Sequence, residues 1–146
     1  MYRELIVGLS KDIRYVNIHA PCSEEEIEKT EKYIGYKFPQ ELRQLLRELD
    51  GDEWLILSAE EMREITSLNR EILITAFDDD EEYKEKIDRH IFFAGNGCGD
   101  YYGYRVLPNG ETDESAIYMW EHEEFEHHIV AKNIVDLICK YYNDKI

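Results

Sequence analysis

The residue types best suited to chemistry lie in two short stretches, GNGCGD at residues 95–100 and EHEEFEHH at residues 121–128. The first partly matches the dinucleotide fingerprint G-x-G-x-x-G, but Asp100 occupies the third glycine position and no helix pattern follows. The Gly-Lys-Ser/Thr end of a phosphate-binding loop is missing as well. Since glycine adopts positive φ without steric cost, the stretch instead predicts a tight turn between two strands. That turn would present Asn96, Asp100 and the tyrosines that follow at a sheet edge.

Cys98, inside this turn, is the one residue there that could act as a nucleophile. Nucleophilic catalysis needs a base oriented beside the thiol, and the spacing assigns no histidine to that role. Neighbouring acidic residues also disfavour the reactive thiolate. We therefore expect Cys98 to be a small, half-buried thiol.

The second stretch places three histidines among four carboxylates. Imidazole and carboxylate are both zinc ligands, and a hairpin could bring His122 and His127 together. The zinc-protease pattern H-E-x-x-H fails, however, because Glu126 stands four residues after His122. The stretch therefore predicts a polar hairpin tip, and we expect neither a metal nor another cofactor.

A run of five acidic residues, DDDEE, occupies positions 78–82. A calcium loop needs spaced oxygen ligands and a glycine turn, and this run has neither. It predicts a solvated loop or the start of a helix that continues through Tyr83 and Ile87.

Capping signals and periodic apolar residues predict four helices before residue 77 and one at the end of the chain. Ser23 and Ser58 each stand three residues before a glutamate, which is the capping-box pattern. Gly35 supplies a helix stop, and Asn133 caps the last helix. The stripes expected to be buried are Leu42, Leu45, Leu46 and Leu49 in the third helix, Met62, Ile65 and Leu68 in the fourth, and Ile134, Leu137, Ile138 and Tyr141 in the last. Residues 71–77 fit either a continued helix or a strand.

Runs rich in β-branched and aromatic residues predict strands at 54–57 and 91–94, a strand that residues 104–107 complete, and strands at 116–120 and 128–131. Trp54 and Trp120 lie in these runs, which favours core positions over binding anchors, and Trp120 is expected near the end of the sheet. The pattern indicates an α+β fold in a single domain over residues 1–146. Helices would pack on a mostly antiparallel sheet, with a closing C-terminal helix.

The composition narrows the class of protein. A chain of 146 residues with 43% hydrophobic residues can build one core, and no apolar run approaches the roughly 20 residues that span a bilayer. The N-terminal residues do not resemble a secretory signal. Three widely separated cysteines favour reduced thiols and a cytoplasmic location. A net charge of -16 disfavours direct binding to nucleic acid or anionic membranes and favours a basic protein partner.

Three motifs in this order resemble a known family: the Gly35-x-x-x-Pro39 step between two helices, the segment FFAGNGCGD and the tetrapeptide WEHE at residues 120–123. The chain resembles, over almost its whole length, the SUKH superfamily, relatives of the yeast regulator of cell-wall assembly, and in particular its compact bacterial members. The resemblance implies an α+β fold. It also implies an immunity protein, since many bacterial members protect a cell by binding a toxin domain, often a nuclease or a deaminase.

These observations lead to the hypothesis of a non-catalytic immunity protein that covers the basic active-site face of a cognate toxin domain. The residues expected to contact the partner are Asn96, Asp100, Tyr101, Tyr102, Glu121, Glu123 and Glu124. Two alternatives stay open: a regulatory scaffold that binds a cellular protein or small ligand, and an enzyme that uses Cys98 or a His/Glu metal site. The oligomeric state is open between a monomer and a weak dimer.

Overall fold

The computed structural model describes residues 1–76, 89–123 and 126–146, with the backbone alone for residues 73–76. The elements in these ranges are α1 (Tyr2–Leu9), α2 (Glu24–Ile34), α3 (Gln40–Glu48), α4 (Ala59–Ala76), β1 (His90–Gly95), β2 (Tyr101–Arg105), β3 (Ile117–Glu121), β4 (Glu126–Ala131) and α5 (Ile134–Tyr142). The predicted α+β fold with a closing C-terminal helix is confirmed. The acidic run at 78–82 and the helix expected through Tyr83 and Ile87 lie outside the described residues.

Both capping boxes begin a helix, but only one closes in both directions. At α4 the Ser58 hydroxyl accepts the backbone N–H of Glu61 at 3.1 Å, and the Glu61 carboxylate accepts that of Ser58 at 3.0 Å. At α2 the Ser23 hydroxyl accepts the backbone N–H of Glu26 at 3.1 Å. The Glu26 carboxylate pairs with Arg63 of α4 at 2.6 Å. The first box therefore caps α2 and also ties it to α4.

The predicted helix end and the last cap are also confirmed. Gly35 follows α2 with a φ of 90°, in the left-handed conformation that glycine adopts without strain. The Asn133 side chain accepts the backbone N–H of Asp136 at 2.9 Å and so begins α5.

The apolar stripe of α3 is buried as expected. That of α5 is buried at Ile134, Leu137 and Ile138, but Tyr141 is only partly buried and the next residue, Tyr142, is buried instead. The stripe of α4 differs as well. Its inner face carries Met62, Thr66 and Asn69, whereas Leu68 is 51% exposed. The expectation for Leu68 was wrong because six residues turn a helix by roughly 600°, which places Leu68 about 120° away from Met62. Residues 71–76, which fitted helix or strand, continue the helix.

The four strands form an antiparallel sheet in the order β1-β2-β3-β4. At one end of the sheet Gly95 pairs with Tyr101, Tyr101 with Trp120, and Trp120 with His127. The β1–β2 turn and the β3–β4 turn therefore lie side by side at this end, and the β2–β3 connection lies at the other.

Residues 54–57 do not form the expected strand. They make one isolated bridge, from Ile56 to Ala94 on the outer edge of β1. The backbone N–H groups of residues 54–56 all donate to Oδ1 of Asp52, at 2.9, 2.8 and 2.8 Å. Because these donors are already used, the segment cannot continue a strand ladder.

The two faces of the sheet carry separate apolar clusters. The main core includes Ile91, Phe93, Tyr102 and Tyr104 on one face, together with the buried sides of the helices. On the other face Phe92 and Trp120 are each 2% exposed and pack with Ile65 and Tyr101. The core position expected for Trp120, near the end of the sheet, is confirmed. Trp54 is 39% exposed, so the same expectation for it was wrong.

Candidate partner-binding site

The glycine-rich stretch forms the predicted tight turn, and Asn96 organises it. The Asn96 Oδ1 accepts the backbone N–H of Cys98 at 2.9 Å and that of Asp100 at 3.4 Å. Its Nδ2 donates to the Asp100 carboxylate at 3.1 Å. Gly97 and Gly99 adopt φ values of 76° and 94°, which side chains rarely allow. The turn is therefore held from within by one amide side chain.

Asp100 links this turn to the β3–β4 turn. Its Oδ1 accepts the backbone N–H of His122 at 3.1 Å and lies 2.7 Å from Nδ1 of the same residue. The His122 ring lies over Gly99, where an added Cβ would stand 3.1 Å from Nδ1. Gly99 is therefore the residue that lets the imidazole approach the turn.

The surroundings of Asp100 lower its pKa. Partial burial alone would raise the pKa, because it disfavours the charged carboxylate. The hydrogen bonds from the ring and backbone of His122 and from Asn96 outweigh that effect and hold the pKa below its usual value. Asp100 is thus an ionised acceptor at the junction of two turns.

Two carboxylates project beside this junction. Glu121 is partly exposed and lies 3.8 Å from Nδ1 of His128. The Glu123 side chain is 85% exposed, and its carboxylate stands 4.0 Å from Nε2 of His122. We name the surface formed by Asn96, Asp100, Tyr101, Glu121, His122 and Glu123 the hairpin-end face. The structure brings these six residues to one end of the sheet.

The remaining predicted contact residues are placed differently. Tyr102 is 2% exposed and points into the main core, where burial raises the pKa of its phenol to about 12. Its side chain is not part of the surface. Tyr101 is half-buried and packs against Phe92, with the ring centroids 5.7 Å apart. Glu124 lies outside the described residues.

The thiols and the histidine and carboxylate side chains are the other candidates for chemistry. Cys98 is exposed, not half-buried as expected, because it lies in the surface turn between β1 and β2. Cys22 is buried, and that burial raises the pKa of its thiol to about 12. Within residues 1–76, 89–123 and 126–146, no three His, Cys, Asp or Glu side chains are grouped so that they could hold a metal ion.

The loop at residues 52–57, where a strand was predicted over 54–57, adds a second surface. Asp52 is fully buried, accepts the three backbone N–H groups of residues 54–56, and accepts the Tyr142 hydroxyl at 2.7 Å. Burial and the nearby carboxylate raise the pKa of Tyr142, so its hydroxyl stays protonated and donates. Glu53 has a φ of 60°, a conformation that is uncommon for a residue with a side chain. The loop is therefore held rigidly, with Glu53 and Trp54 outermost.

This loop forms one wall of a cleft of about 410 Å³. The glycine turn, Tyr101 and the α4 residues Glu61 and Ile65 line the rest of the cleft. We name it the Trp54 cleft. It adjoins the hairpin-end face, because Tyr101 and the glycine turn belong to both. In the sequence, the run Asp50-Gly51-Asp52 ahead of Trp54 indicates a turn at this position. It does not predict that the Trp54 side chain is exposed.

Two further findings bear on what kind of protein this is. A sequence model of the SMI1 / KNR4 family (SUKH-1) matches residues 21–140. No curated protein matches the chain. Among the described residues, no helix combines the length and the apolar character needed to cross a membrane.

Proposed function

Because the chain belongs to the SMI1 / KNR4 family (SUKH-1), we propose that it is a cytoplasmic immunity protein that neutralises a toxin by binding it. Family membership supports a non-catalytic role in binding a partner protein. The finer proposal names the partner as a basic, nuclease-like toxin domain whose active-site face the protein covers.

The observation that carries the proposal is the construction of the hairpin-end face. The Asn96–Asp100–His122 network joins two turns that are separated in the chain by the whole of β2 and β3. Glu121 and Glu123 project beside the two turns that these hydrogen bonds join. In this arrangement Asn96 and Asp100 position the face, while Glu121, Glu123 and Tyr101 are available to contact the partner. A preorganised carboxylate surface loses little conformational entropy when it binds basic side chains.

The overall charge supports the same partner class. With 33 acidic residues against 17 basic ones, the protein attracts a basic surface from a distance and speeds the encounter. An enzyme that binds nucleic acid presents such a surface around its active site. The mechanism is therefore steric and electrostatic occlusion of that surface.

The experiment is affinity capture from the source organism in moderate salt, followed by an activity assay of the captured toxin. We expect the wild-type protein to retain a protein with a basic, nuclease-like domain and to inhibit its activity. The double variant Glu121→Gln, Glu123→Gln should bind with an association rate about three- to tenfold lower, because two steering charges are lost.

The matched control is Glu111→Gln, Glu114→Gln, which removes the same charge from the β2–β3 connection at the opposite end of the sheet. Both of these glutamates are exposed. Equal effects of the two double variants would contradict a contact at the hairpin-end face. Recovery of a housekeeping complex in place of a toxin would contradict the immunity role and favour a regulatory scaffold.

A further inference from the structure

The Trp54 cleft has the walls, the charge and the rigidity to receive one particular side chain. We propose that it binds an arginine side chain of the protein partner. The proposal rests on the binding function proposed above and adds the chemistry of one contact to it.

The walls of the cleft match the two parts of an arginine side chain. Trp54, Tyr101 and Ile65 line it with aromatic and aliphatic surface, against which the three methylenes of arginine can pack. A guanidinium also stacks on aromatic faces, with tryptophan the most favourable partner. Trp54 is 39% exposed, a high fraction for the largest apolar side chain, and a partner that covered it would bury that area.

The charged groups of the cleft are acceptors, as a guanidinium requires. Within the described part of the chain, the bonds to Glu53 use its Oε2, which accepts from Asn17 at 2.5 Å and lies 2.9 Å from His19 Nε2. The hydrogen bond from the Ser58 backbone N–H to Glu61 uses Oε1 of Glu61. Oε1 of Glu53 and Oε2 of Glu61 therefore stay available to a planar group with five N–H donors. The same carboxylates would repel phosphate, which argues against a nucleotide in this cleft.

Each wall is held in place before any partner arrives. Asp52 fixes the loop that carries Glu53 and Trp54. The closed capping box orients Glu61, and Asn96 holds the glycine turn. Gly97 lines the cleft, and an added Cβ there would meet no atom within 4 Å, so the turn leaves open space for an incoming side chain.

The test is a titration of the protein with the peptide acetyl-Gly-Arg-Gly-amide, followed by tryptophan fluorescence. Trp54 lines the cleft and is 39% exposed, and Trp120 packs against Tyr101 and Ile65 of the same cleft, so the fluorescence of both tryptophans reports on its occupancy. The control peptide carries citrulline, which has the shape of arginine without its charge. We expect a saturable change with the arginine peptide and about fivefold or more weaker binding of the citrulline peptide.

Substitutions of Glu53 and Glu61 test whether the two carboxylates of the cleft bind the arginine side chain. Glu53→Gln, Glu61→Gln should weaken binding of the arginine peptide by about fivefold. Glutamine keeps the acceptor oxygens of the capping box and of the Asn17 contact, so the fold is retained. Glu60→Gln, Glu64→Gln is the charge-matched control, because both glutamates lie on α4 and line the groove toward α2 instead.

Equal binding of the arginine and citrulline peptides, or no fluorescence change with either, would overturn the arginine proposal. That outcome is separate from the fate of the immunity role. If binding of the captured toxin still depends on Glu121 and Glu123, the immunity proposal stands and only the arginine contact is overturned.

Discussion

At the scale of single residues, the carboxylates of this acidic protein divide into two kinds. Asp52 and Asp100 accept hydrogen bonds from backbone N–H groups and thereby hold a loop and a pair of turns. Glu121 and Glu123 are more exposed and carry charge at the surface. Residues of the first kind hold the turns of the candidate site, and residues of the second kind are those that we propose to contact the partner.

Asp100→Asn should lower the free energy of unfolding by about 1–2 kcal/mol at pH 5.5, because an amide replaces the charged acceptor of the His122 bonds. The pKa of Asp100 is lower in the folded state than in the unfolded state. Between these two pKa values the unfolded state therefore binds more protons than the folded state. The stability from Asp100 is present above the unfolded pKa of about 3.9 and is lost as the pH falls through the folded value. In urea unfolding, the difference in the free energy of unfolding between wild type and variant should be smaller at pH 3 than at pH 5.5.

The control for this prediction is Asp12→Asn, at an exposed position between α1 and α2. Its effect should be small at both pH values. A difference between wild type and Asp100→Asn that stays constant from pH 5.5 to pH 3 would contradict the role assigned to the ionised carboxylate.

At the scale of the elements, β2 is the strand on which the candidate site is built. It begins at Tyr101, directly after the glycine turn, and its side chains alternate between the two apolar clusters. At its centre Gly103 pairs with Phe92 on β1 and with Tyr118 on β3. A Cβ at this position would lie 1.9 Å from the carbonyl oxygen of Ile91, so β1 and β2 can approach only because residue 103 is a glycine.

Gly103→Ala should therefore destabilise the protein by about 3 kcal/mol or more, since backbone atoms must move to admit the methyl group. Gly8→Ala is the matched control. An added Cβ at Gly8 in α1 would meet no atom within 4 Å, and alanine favours a helix over glycine by about 0.5–1 kcal/mol. The midpoint of thermal or urea unfolding should fall for Gly103→Ala and rise for Gly8→Ala. A neutral effect of Gly103→Ala would contradict the close approach of the strands.

At the scale of the whole molecule, a net charge of -16 acts against the compact state, and the same charge would attract the basic partner that we propose. Both effects have the same origin, because folding concentrates the carboxylates that repel one another. A bound basic partner would neutralise part of this charge. The complex should therefore be more resistant to unfolding than the free protein.

The free protein should become more stable when salt screens its self-repulsion. Raising NaCl from about 0.01 M to about 0.15 M shortens the Debye length from roughly 30 Å to roughly 8 Å. We expect the Tm at pH 7 to rise by about 2–4 °C, which corresponds to about 1 kcal/mol in a chain of this size. The effect should be smaller near the pI of about 4.6, where the net charge vanishes. A Tm at pH 7 that falls or stays constant as salt is added would contradict this account.

The features that could be predicted from the sequence are either local or summed over the chain. The caps at Ser23, Ser58 and Asn133, the stop at Gly35 and the tight glycine turn follow from bonds within a few residues, so their patterns predicted them. The net charge needs no structure at all. The order of the motifs also sufficed to identify the family.

The way in which these parts come together as a site depends on long-range contacts. Asp100 binds His122 across 22 positions, and Asp52 binds Tyr142 across 90. Contacts over such separations depend on how strands and helices pack, which no local pattern encodes. For that reason the sequence placed Trp54 in a strand and Tyr102 at the surface. In the folded protein Asp52 uses the backbone donors that a strand would need, and the alternation of β2 points Tyr102 into the core.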